Sequence, residues 1–128
     1  MSRSGYTDDG DDGWRWRGTV ANAIKGRRGQ AFFLELIAAL DALPEKKLIK
    51  EELEIDGAVC ALGAVGKARG IDMTGIDPED SGQVSAAFRI SNAIAVEIEF
   101  MNDECFSLAT EKERFSRMRS WAVSCLKK

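Results

Sequence analysis

The sequence predicts a mainly α-helical fold: a compact bundle of about five or six helices, with at most one short β-hairpin near Asp56-Gly57. Three observations carry that expectation. Apolar residues recur at helical spacing along Phe32, Phe33, Leu36, Ile37, Leu40 and Leu43. Start and stop signals bracket most of the other periodic stretches. Only Asp56-Gly57 forms a tight-turn dipeptide between two apolar-containing segments.

Residues 1–13 are rich in Gly, Ser and Asp and carry little to bury, so they are expected to form a flexible acidic tail ahead of a single helical domain over 14–128. Asp11 or Asp12 is a candidate cap for a first helix from Trp14 to Lys25, with Gly26 and Gly29 as breaks after it. A second helix is expected from Gln30 to Leu43, ended by Pro44. Lys46 to Ile55 suits either a short helix or a strand. The alanine-rich run from Val59 to Arg69 reads as a helix stopped by a left-handed Gly70. Gly63 and Gly66 inside it each cost about 1 kcal/mol relative to Ala, which close packing of another element would explain.

Further along, Asp77-Pro78-Glu79-Asp80 resembles a helix start whose apolar face is Val84, Ala87 and Phe88. Ile90-Ser91 breaks that pattern, and Ser91 or Asn92 is placed to cap a helix reaching about Met101. Thr110 and Glu113 form a capping box for a last helix lined by Phe115, Met118, Ala122, Cys125 and Leu126. Trp121 reads as a core residue of that helix.

Composition narrows the chemistry. The 128 residues include no histidine, which excludes Cys-His and Ser-His couples, His-ligated zinc and imidazole proton transfer. Three cysteines, Cys60, Cys105 and Cys125, are an odd number without C-x-x-C spacing and read as reduced thiols of a cytoplasmic protein. No metal or cofactor fingerprint is present: the acids Asp72, Asp77 and Asp80 lack a calcium-loop pattern, and Gly63-x-x-Gly66 is not a phosphate loop. Apolar runs fall short of the roughly 20 residues of a membrane span. Cys60, just past a turn at a helix start, is the one thiol with a suggestive setting. Packing among Ala58, Val59, Ala61 and Leu62 is the simpler reading of it.

Charge is distributed unevenly under a net −3. An acidic run of Asp8, Asp9, Asp11 and Asp12 is followed by Arg15, Arg17, Lys25, Arg27 and Arg28, with Trp14 and Trp16 between acids and bases. Solvated faces account for most such runs. Interleaved Trp and Arg are also the types enriched at protein–protein hot spots, and they can stack nucleic-acid bases. The net acidity favours a protein partner over nucleic acid. Val84 to Ser91 mimics the first helix and turn of a helix-turn-helix. The recognition helix would then be Asn92 to Asp103, with Glu97, Glu99 and Asp103 and no Lys or Arg, so a helical hairpin built for packing fits better.

The strings Trp16-Arg17-Gly18, Arg27-Arg28-Gly29-Gln30-Ala31-Phe32 and Ala39 to Pro44 resemble small uncharacterised proteins of tailed phages and prophages. So do Asp56-Gly57-Ala58-Val59, the C-A-L-G-A motif Cys60 to Ala64, Arg69 to Asp72, the N-D-E motif Asn102-Asp103-Glu104, and the segment Glu113 to Trp121. The C-A-x-G-A string followed by Asn-Asp also resembles a broader group of small bacterial proteins. The resemblance implies a phage-encoded accessory protein in the host cytoplasm and carries no catalytic residue with it.

The leading expectation is a non-enzymatic protein that binds a host or phage protein, as an inhibitor of host defence, through Arg15, Trp16, Arg17, Arg27 and Arg28. A nucleic-acid-associated regulator using the same cluster is the second reading, and a Cys60-dependent enzyme the third. Cys60, Asn102 and Asp103 are expected to be structural, the last two as a cap or turn after a helix.

Overall fold

The computed structural model describes residues 10–105 and 108–127, with side chains over 17–103 and 108–127. Among these, six α-helices and one two-stranded antiparallel sheet follow in the order α1 (Gly10–Lys25), α2 (Arg27–Asp41), β1 (Glu54–Ile55), β2 (Ala58–Val59), α3 (Ala61–Arg69), α4 (Ser81–Phe88), α5 (Asn92–Glu99) and α6 (Glu111–Ser124). A π-helical turn, Phe100–Cys105, continues α5.

Helix α1 begins at Gly10, ahead of the Trp14 expected. Asp11 and Asp12 therefore fall within its first turn rather than at its cap. Residues 1–9 of the acidic tail lie outside the described residues. Only Gly26 separates α1 from α2, in an extended N-cap conformation (φ −66°, ψ 163°). Gly29, expected as a second break, is instead buried inside α2. A Cβ there would overlap the carbonyl oxygen of Ala23 and stand 2.8 Å from that of Ile24. Glycine is thus what lets the end of α1 press against the first turn of α2.

Of the stripe that the spacing foretold, Phe32, Phe33, Leu36 and Leu40 are buried in α2, Leu43 is buried just beyond its end and Ile37 is half-buried, while Ala39 joins them unforetold. It packs against α1, α3 and α6. Phe33 meets Trp121 of α6 edge-on, with ring centroids 5.4 Å apart at 75°. Trp121 is therefore partly buried packing on the core.

The ambiguous stretch after Pro44 is mostly irregular, pinned by buried Leu48 and Leu53. It ends in a hairpin pairing Glu54 with Val59 and Ile55 with Ala58. Asp56 and Gly57 both take positive φ (50° and 86°), the geometry a two-residue hairpin turn requires. Helix α3 then starts from Cys60 and stops at a left-handed Gly70 (φ 73°). Both glycines within α3 have the close neighbours expected: the Leu53 carbonyl overlies Gly63, and Met73 Sδ would lie 2.5 Å from a Cβ at Gly66.

Asp77 and Pro78 lie ahead of a helix rather than within one. Asp77 Oδ1 accepts the Glu79 N–H at 2.9 Å, closing a local turn, and Asp80 is the true cap, accepting from Gln83 N–H at 3.2 Å. Arg89 ends α4 in the left-handed region and Ser91 caps α5. The helical path then runs past the expected Met101 to Cys105 by widening into the π turn. Thr110 and Glu113 form the complete capping box of α6, each accepting a backbone N–H from the other.

Candidate functional site

Two places in the fold gather polar chemistry. One is a surface groove of about 1040 Å³, walled by the α1–α2 junction and α2 on one side and by α4, Ile90, Ser91 and α5 on the other. Arg27, Arg28, Arg69 and Arg89 stand around it, and Glu35 is the one acid in its lining.

The four arginines arrive by three local causes. Arg27 and Arg28 open α2 directly after the extended Gly26. Arg89 is brought to the rim by the left-handed turn (φ 57°, ψ 44°) between α4 and α5, a conformation that costs a side chain with a Cβ about 1–2 kcal/mol. Arg69 is the last residue of α3 and is held from three directions. It forms a two-pronged pair with Glu35 (2.6 and 2.7 Å), donates to the Phe88 carbonyl at 2.7 Å and lies 5.8 Å from the Phe32 ring centre. Hydrogen bonding to Arg69 holds the Glu35 carboxyl below its ordinary range. The pair is internally neutralised.

Arg27, Arg28 and Arg89 differ from Arg69: they are exposed and form no ion pair or side-chain hydrogen bond among the described residues. Three cations without an ion-pair partner among the described residues border one groove in a chain of net charge −3. The floor between them is apolar, with Ala31, Phe32, Ala86, Ile90 and Ile94.

Of the five residues expected at an interface, the structure brings Arg27 and Arg28 to this groove. Arg17 is exposed on α1 and does not line it. Arg15 and Trp16 fall on the α1 backbone, with side chains outside the described set. Sequence reasoning missed Arg69 and Arg89. Each closes a helix far along the chain, and nothing local links them to Arg27. The Ile90-Ser91 break after Arg89 was the available signal.

The second place is buried. Asn102 and Asp103, in the π turn, are 2% and 7% exposed, and Arg114 of α6 is 3% exposed. Asn102 Oδ1 accepts the Ala61 N–H at 3.1 Å, while its Nδ2 donates to the Ile49 carbonyl at 3.0 Å and to Asp103 Oδ1 at 2.7 Å. Asp103 Oδ1 also accepts the Glu51 N–H at 3.0 Å. Arg114 spreads its guanidinium over the carbonyls of Asn102, Leu48 and Ala109 at 3.0, 3.0 and 3.1 Å. These residues satisfy backbone groups of an irregular segment that has no ladder of its own.

Cys60 borders this network as the cap of α3, its Sγ accepting the Gly63 N–H at 3.3 Å. The void beside it, lined also by Glu99 and Asp103, is about 10 Å³. That admits at most one water and no substrate. The Cys125 thiol is pushed up to about 11 by burial and stays protonated at neutral pH.

The would-be recognition helix α5 has Ala93, Ile94, Ala95, Val96, Ile98 and Glu99 buried, so it is not free to enter a DNA groove. Among the described residues no three His, Cys, Asp or Glu side chains gather to hold a metal ion, and no helix is long and apolar enough to cross a membrane. Comparison with protein-family models, curated proteins and solved structures gave no match.

Proposed function

We propose that this chain is a non-enzymatic binding protein that engages a partner protein through the arginine-bordered groove, as a phage- or prophage-encoded accessory factor directed at a host-defence or phage protein. The observation that carries the reading is the trio Arg27, Arg28 and Arg89, unpaired among the described residues around an apolar floor. Long-range charge does not account for it, because the chain as a whole is acidic. Arginine beside apolar surface is the composition of protein–protein hot spots. The Cys60 alternative is weakened by a cavity too small for a substrate. A nucleic-acid regulator using the same arginines remains the competing use of the surface, favoured only by their positive charge.

The test is an affinity pull-down from host cells expressing the tagged chain, repeated with Arg27→Glu/Arg28→Glu/Arg89→Glu and with the distant exposed Lys112→Glu as control. Loss of a partner from the triple variant alone supports the reading. An identical partner set from all three proteins removes the groove as the interaction surface.

A further inference from the structure

Resting on that reading, we infer the chemistry of the partner: the groove receives an acidic amphipathic helix, laid between α2 and α4 with its apolar face down and its carboxylates toward Arg27, Arg28 and Arg89. The floor is the first reason. Ala31 and Ala86 face the opening as exposed, minimal side chains, with half-buried Ile90 beside them. Small side chains let another helix approach closely, and apolar ones reward it for excluding water. A volume of about 1040 Å³ sits at the top of the roughly 300–1,000 Å³ range of small-molecule sites and, being open, suits a stretch of chain.

Charge is the second reason. The acid in the groove, Glu35, is already engaged by Arg69, so the three remaining guanidiniums have no counter-charge among the described residues. A helix with carboxylates flanking its apolar stripe supplies that charge on both walls, the helix-in-groove mode of peptide recognition. Single-stranded nucleic acid would supply charge too, but it needs exposed aromatic planes for its bases. Among the described residues the aromatic that lines the groove, Phe32, is only 4% exposed and lies beneath Arg69.

Fluorescence anisotropy of the full chain tests this with four labelled probes. They are an amphipathic peptide of roughly five helical turns with Leu on one face and Glu beside it, the same peptide with every Glu replaced by Gln, a single-stranded DNA of similar length, and a DNA duplex. The Glu peptide is expected to bind about tenfold or more tightly than the Gln peptide. Arg27→Glu/Arg28→Glu/Arg89→Glu and, separately, Ala86→Trp are each expected to weaken it by about tenfold, with circular dichroism unchanged. The Trp variant matters because it fills the floor without altering charge. Tighter binding of either DNA with a steep salt dependence, equal binding of Glu and Gln peptides, no binding of the Glu peptide, or indifference to Ala86→Trp would each overturn the inference. So would concentration-dependent self-association abolished by the triple variant, which would make a second copy the occupant. If the pull-down still yields an arginine-dependent partner while the Glu peptide fails, the inference falls and the broader proposal stands.

Discussion

The Ala61 N–H, the first in α3, ends on Asn102 Oδ1 at 3.1 Å, joining that helix start to a π turn 41 positions away. The same Asn102 offers its own carbonyl to Arg114 Nε at 3.0 Å. One buried amide thereby ties α3, the irregular segment before the hairpin and α6 into one unit. The relation is architectural, and it sets the frame on which the surface groove is displayed.

Asn102→Ala should therefore be among the most destabilising polar changes. It orphans the Ala61 N–H and the Ile49 carbonyl, at about 1–3 kcal/mol for each buried group. Arg114→Met orphans three carbonyls and should cost a comparable amount. Because the two side chains serve one network, urea denaturation of the double variant should show non-additivity of roughly 0.5–3 kcal/mol. Simple addition of the single effects would mean that the two act independently.

Two glycine-to-alanine changes should have opposite signs. In Gly63→Ala the new methyl would overlap the Leu53 carbonyl, a backbone atom that cannot turn aside, so a loss of about 1–3 kcal/mol is expected. Gly18 lies within α1 with nothing within 4 Å of an added Cβ. Gly18→Ala should stabilise by about 0.5–1 kcal/mol. Paired thermal melts decide both.

Arg89→Gly separates function from stability. Glycine takes the left-handed conformation without the steric cost that arginine bears there. Melting temperature should hold or rise while partner capture falls. A parallel fall in both would show that Arg89 is needed for the fold rather than for binding.

Two carboxyls give pH effects of opposite sign. Burial raises the Glu97 carboxyl above its ordinary 4.5, and its Oε1 has no hydrogen-bond partner among the described residues. Between the unfolded value and the raised folded one, the native state binds more protons, so stability falls as pH rises through that window. Glu97→Gln should therefore raise the melting temperature at pH 7, with the gain vanishing below about pH 4. Glu35 is shifted the other way, held down by Arg69. Its contribution is present above the ordinary 4.5 and is lost as pH falls through the lowered value. Exposure keeps that contribution under about 1 kcal/mol. Melting curves of Glu35→Gln from pH 7 down to pH 3 should converge on those of the parent at the acid end.

Much of the local structure was legible in the residues. The apolar stripe of α2, the Asp56-Gly57 turn, the left-handed Gly70 and the Thr110–Glu113 box each depend on neighbours within a few positions. Errors arose where a distant neighbour decided. Gly29 looked like a helix break because glycine weakens helices, but contact with the end of α1 makes it a packing residue inside one. Asp77-Pro78 carried good start signals, yet Asp77 spends its carboxylate on a turn and leaves the cap to Asp80.

The sequence by itself determined the helical class, the hairpin and the caps at Gly70, Ser91 and Thr110, because backbone propensity and side-chain periodicity act over one or two turns. Tertiary structure alone decided that Asn102, Asp103 and Arg114 share a buried network, and that Arg69 and Arg89 join Arg27 and Arg28 around one groove. Those groupings arise from how helices pack against one another. Burial and charge pairing between residues tens of positions apart leave no periodic trace in the chain.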